Sequence, residues 1–147
     1  MTTTFFPVQM FPVPANSPHS FHKLGSQFLN AARLVFENGN PDLHFPGYTL
    51  VGQAIELYLK AFLLAKGQNV NNLKSIGHNL TLAFETAEKH DLSKHFIIRA
   101  DDRKCLETLS LVYQNKDFQY KSQGTWELPF PRWTIDFADR LSQCVTY

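Results

Sequence analysis

An all-α fold is what this sequence predicts: an antiparallel up-and-down bundle of about five helices behind an extended, proline-rich N-terminal arm. Three observations carry the prediction. The run from Tyr48 to Lys66 is apolar around most of a helical circumference, several other stretches space apolar residues by three and four, and no stretch sustains a two-residue alternation. Helices with one apolar stripe, gathered around a helix that is apolar on nearly every side, make a bundle. A length of 147 residues suits a single core, divided into an arm over 1–19 and a bundle domain over 20–147.

In the arm, Pro7, Pro12, Pro14 and Pro18 stand among Phe5, Phe6, Met10 and Phe11. Proline at that density prevents a helix and favours extended backbone. Two readings stay open: a disordered arm, or one whose apolar residues pin it to the body or to a second subunit. The same stretch has neither a basic start nor a continuous apolar run, so it is not expected to be a secretory signal.

The first helix is expected from Ser20 as N-cap to about Asn38, with Phe21, Leu24, Phe28, Ala31, Ala32 and Val35 on one face and Gly39 as the stop. The link NGNPDLHFPG should break the chain before the central helix, which Gly67 ends, and QNVNN reads as loop. A third helix is expected from Gly77–His78, carrying Leu80, Ala83, Phe84 and Ala87 at helical spacing, then a short turn through Leu92–Phe96. Asp101 or Asp102 caps a fourth, with Cys105, Leu106, Leu109, Val112 and Tyr113 on one side; after a loop from Gln114 to Pro131, a last helix starts near Arg132.

A net charge near +1 argues against a wide phosphate-binding face, so strong nonspecific nucleic-acid binding would need a local patch. Thirteen phenylalanines suggest a thick core or an apolar surface used for association. Cys105 and Cys144 stand in no metal-type spacing and read as reduced, buried thiols in a cytoplasmic protein, a single bridge between helices being the alternative. Glu56 and Lys60 at mid-height make the central helix a poor membrane span. His19 and His22, or His90 and His95, form no metal-binding pattern, and no glycine-rich phosphate loop or nucleophile elbow occurs, so neither metal nor cofactor is expected.

Gln53, Glu56 and Lys60 form the one polar stripe on the central helix, and Glu56 precedes Lys60 by four, the orientation favoured for a helix ion pair. If the helix is enclosed, the two charges satisfy each other, since an unpaired buried charge costs about 3–5 kcal/mol. The other reading is that they border a cleft reached by His78, which a short connection places beside them. A histidine at a helix start tends to stay neutral, which suits a general base and equally a hydrogen-bonding cap.

The run GQAIELYLKAFLLAKG followed by KSIGHNLTLAFETA resembles the HEPN domain, named for higher eukaryotes and prokaryotes nucleotide-binding. In that family a helix of form A-x-E-x-x-x-K-A-x-L, matched by Ala54, Glu56, Lys60, Ala61 and Leu63, precedes a G-H-[DN]-L helix entry, matched by Gly77, His78, Asn79 and Leu80. LETLSLVYQNKDFQY is similar to the family's later helix and its tyrosine-containing exit, through Tyr113, Phe118 and Tyr120. The likeness covers about residues 20–145. It implies a helical bundle, frequently dimeric, associated with RNA cleavage, toxin–antitoxin pairs or nucleotide-related partners. The family's ribonucleases use R-x(4–6)-H, and neither Arg33, Arg99, Arg103, Arg132 nor Arg140 has a histidine at that distance.

Two functions follow as expectations. The first is a non-catalytic domain acting through homodimerisation and through a protein, RNA or nucleotide partner, with Gln53, Glu56, Lys60, His78, Asn79, Tyr113 and Tyr120 as binding residues. The second is a metal-independent ribonuclease or nucleotide-acting toxin with His78 as base and Lys60 or Arg99 stabilising phosphate charge.

Overall fold

The computed structural model describes residues 7–115 and 123–145. Among them are six α-helices and no strand: α1 (Pro18–Glu37), α2 (His44–Ala65), α3 (Val70–Ile76), α4 (Leu80–Lys89), α5 (Asp102–Gln114) and α6 (Pro131–Ser142), with 3-10 turns at Pro41–Leu43 and Leu92–Lys94. The expected all-α bundle is present, with one helix more than the sequence announced.

α1 begins two residues before the expected Ser20 cap. Ser17 is extended and its side chain accepts from the Ser20 N–H, while Pro18 takes the first helical position, where a missing N–H costs nothing. α2 begins at His44, inside the stretch expected to be a break. Pro46 is its third residue, and the first four N–H groups of a helix have no intrahelical partner to lose. The additional helix, α3, arises from the asparagine-rich segment expected to be loop. Asn69 is extended and its Oδ1 accepts from the Asn72 N–H at 2.9 Å, and buried Leu73 anchors the turn that follows. Asp101 holds the cap position of α5 without a side-chain bond; Asp102 turns inward instead.

α2 is the axis of the bundle. Val51, Ala54, Ile55, Leu59, Ala61 and Leu63 are fully enclosed, and α1, α3, α4, α5 and α6 all pack on it. Around it Phe84, Phe96 and Phe137 meet edge-on or tilted at 5.4–5.9 Å between centroids, so three of the thirteen phenylalanines form one knot under α4 and α6. Residues 7–16 run outside the bundle, with Val8, Met10, Phe11 and Val13 exposed. Cys105 and Cys144 are unbridged; Cys144 is buried, whereas Cys105, expected to be buried too, is only half-buried near the start of α5. No described helix is long and apolar enough to cross a membrane.

Candidate functional site

Glu56, on α2, is the polar centre of the molecule. It is only 8% exposed, a costly place for a carboxylate unless its lone pairs are used. Three donors use them. Lys60 Nζ lies 3.0 Å from Oε2, the Tyr113 hydroxyl donates to Oε1 at 2.9 Å, and His78 Nδ1 stands 2.7 Å from Oε1. The donors come from one turn on in α2, from the end of α5 and from the link before α4, so one side chain ties three parts of the bundle together.

Local backbone chemistry positions each donor. Gly77 closes α3 at φ 61°, a left-handed conformation that glycine adopts without strain, and this delivers His78 to α2. Asn79 then caps α4, its Oδ1 accepting from the Leu82 N–H at 3.0 Å. Tyr113 reaches Glu56 because Gly52, one turn earlier on α2, has no side chain; a Cβ there would lie 2.5 Å from Tyr113 Cδ1. The rings of His78 and Tyr113 meet edge to face at 6.2 Å. Burial, then the charge of Glu56 and the bond to it, pushes the Tyr113 phenol far above its ordinary value.

An ionised carboxylate only accepts, so the His78 nitrogen facing Glu56 carries a proton. The His78 side chain is 63% exposed, and its Nε2 makes no hydrogen bond among the described residues. Lys60, by contrast, is a nearly enclosed partner with a side chain 12% exposed. Gln53 lies half-buried one turn before Glu56 on the same stripe.

Of the residues expected at the site, Glu56, Lys60, His78 and Tyr113 are in direct contact, Gln53 and Asn79 flank them, and Tyr120 lies outside the described residues. Arg99 does not join them. Its guanidinium pairs with Asp136 at 3.0 Å and its N–H donates to Asp102, at the opposite end of α5 from Tyr113. Eleven residues of helix separate Asp102 from Tyr113, about 16 Å along the axis. Arg99 and His78 of one chain therefore cannot share a phosphate.

A second polar centre went unforeseen. Asp102, 1% exposed, accepts from Arg140 Nη2 at 2.7 Å and Nη1 at 2.9 Å, from Trp133 Nε1 at 3.1 Å and from the Arg99 N–H at 2.7 Å. Arg140 also lies over Phe96 and Phe137, 4.9 and 5.5 Å from the centroids. Burial alone would raise the Asp102 carboxyl; the bonds from Arg140, Arg99 and Trp133 outweigh it and hold the group below the usual carboxylate range. Among the described residues no group of three or more His, Cys, Asp or Glu side chains could hold a metal ion.

No significant match is found among curated proteins or solved structures. The model of the HEPN domain family matches residues 22–145, which span α1 to α6 and contain the whole Glu56 cluster. That match covers most of the chain, and the described residues form helices and no strand: this protein belongs to the HEPN domain family.

Proposed function

We propose that this chain is a non-catalytic HEPN domain that works by association, as a homodimer engaging a protein, RNA or nucleotide partner in a cytoplasmic setting. One observation carries the reading: the Glu56 carboxylate is consumed by Lys60, His78 and Tyr113, so its role is to brace helices. The sequence lacks R-x(4–6)-H, and the Arg99 guanidinium, expected to serve phosphate chemistry, pairs with Asp136 instead. Unbridged Cys105 and Cys144 favour the cytoplasmic setting. The test is sizing of the purified protein by light scattering with a pull-down from its native host. A monomer that retains nothing would end this reading.

A second reading rests on His78. Its Nδ1 is fixed by a carboxylate while Nε2 faces outward, an arrangement suited to a general base. In that case the protein is a metal-independent ribonuclease or nucleotide-acting toxin. It predicts RNA cleavage in the presence of chelator that His78→Ala abolishes while the protein still folds. Failure of the purified protein to cut any of a panel of RNAs removes it.

A further inference from the structure

The arm and the start of α6 are complementary surfaces at opposite ends of one molecule. Residues 7–16 are uncharged and lie in neither helix nor strand, and Val8, Met10, Phe11 and Val13 are 75–93% exposed, so this chain's own body does not cover them. Phe-Pro-Val occurs twice, at residues 6–8 and 11–13. Proline contributes a carbonyl and no N–H, so a backbone carrying Pro7, Pro12 and Pro14 is rich in acceptors and poor in donors.

At the start of α6 lies a groove of about 730 Å3 lined by Arg99, Phe130, Pro131, Arg132, Trp133 and Asp136. Phe130 is 85% exposed on its rim, and Trp133, whose N–H points at Asp102 and whose ring stacks on Phe137 at 4.7 Å, forms part of the lining. Arg99 spends one bond on Asp136 and keeps further N–H donors. Aromatic walls with donors beside them are the chemistry that receives an extended proline-rich segment, stacking its apolar side chains and satisfying its carbonyls.

We propose that this groove receives the arm of a second copy of this chain, so that two copies exchange arms. The same chain's arm leaves the groove open, since Val8, Met10, Phe11 and Val13 are exposed and no arm residue lines it, and the geometry suits a second copy. α1 and α6 run antiparallel: His22 Nε2 meets the Ser142 carbonyl at 2.8 Å near one end, while Phe36 and Glu37 flank Pro131 and Arg132 at the other. The arm thus leaves α1 about 27 Å from the groove, 18 residues of helix away. Two copies related by a twofold axis with their α1 helices antiparallel set each arm root beside the partner's groove, and ten extended residues reach about 31 Å. Both contacts form together, doubling an apolar area that one arm supplies thinly.

This inference rests on the association reading, and its test separates the two. Phe11→Asp spoils the arm. Phe130→Asp spoils the groove and leaves a good capping residue at the α6 N-cap, so the fold is kept. In light scattering across a concentration series, the unaltered chain is expected to be a dimer, and each variant to raise the dissociation constant by roughly tenfold or more. Mixing the two variants recovers part of the lost affinity as a heterodimer, because one of its two arm–groove contacts is then intact while the other carries both substitutions. A dimer indifferent to both substitutions overturns arm exchange and leaves association standing, whereas a monomeric unaltered chain overturns both. A mixture that does not recover also overturns arm exchange, as does a fall in monomer Tm caused by Phe11→Asp, which would place the arm on its own body.

Discussion

At Glu56 a change of one atom type removes a charge while keeping the shape. Glu56→Gln leaves Lys60 with a side chain 12% exposed and no counter-ion, and turns one acceptor of the site into a donor facing other donors. Breaking an enclosed pair costs about 3–5 kcal/mol, and because the lysine can slide its ammonium toward water the expected loss is about 2–3 kcal/mol. Chemical denaturation measures it, and an unchanged midpoint would show that the carboxylate is no brace. Tyr113 gives a pH signature. Its phenol, like that of Tyr48, which donates to the Pro129 carbonyl at 2.6 Å, is held neutral in the fold by burial. The unfolded chain ionises these phenols above about pH 10, so stability is full below that pH and falls as pH rises, by up to about 1.4 kcal/mol per unit for each group. Tyr113→Phe should start about 1 kcal/mol lower and lose only part of this alkaline slope, Tyr48 keeping the rest. A slope as steep as that of the unaltered protein would contradict the enclosure of Tyr113.

At the scale of elements, α5 and α6 are joined by Asp102 and Arg140, and that junction is acid-sensitive. The folded carboxyl titrates below its unfolded value, so its contribution is present above about pH 4 and is lost as pH falls through and below it. Asp102→Asn is expected to cost about 3 kcal/mol near neutrality, since Arg140 keeps only Asp136 as counter-ion. The deficit should shrink as pH drops below about 4, in urea unfolding followed from neutral to acid. A deficit independent of pH would mean that the guanidinium is satisfied without Asp102. The contrast with Glu56 shows what a sequence exposes. Glu56 and Lys60 are four apart on one helix, and Gly77–His78 follows within a short connection, so the cluster could be assembled from local spacing. Asp102 and Arg140 are 38 residues apart with no pattern linking them, and only the tertiary approach of the start of α5 to Arg140 on α6 brings them together. Gly52 carried a signal that was readable, a glycine amid an apolar helix, but its meaning lay in Tyr113 on another element. α3 stayed hidden for a different reason: asparagines suit loops and caps alike, and the capping bond of Asn69 decides between them.

For the whole molecule, the arrangement around α2 sets the order in which parts open. α2 alone packs on all five other helices, so exposing its middle requires the rest to leave first. Native-state hydrogen exchange should therefore find the slowest amides between Val51 and Leu63, exchanging only through global unfolding. The amides of α3, seven residues long with Leu73 as its one fully buried residue, should exchange through local opening. Glu56→Gln adds a diagnostic. If its three partners brace separate elements, the substitution should speed exchange in α4 and at the end of α5 more than in α1, which contributes no donor to the cluster. Uniform acceleration would mean that the carboxylate stabilises α2 by itself, and slower amides in α1 than in α2 would move the axis of the bundle elsewhere.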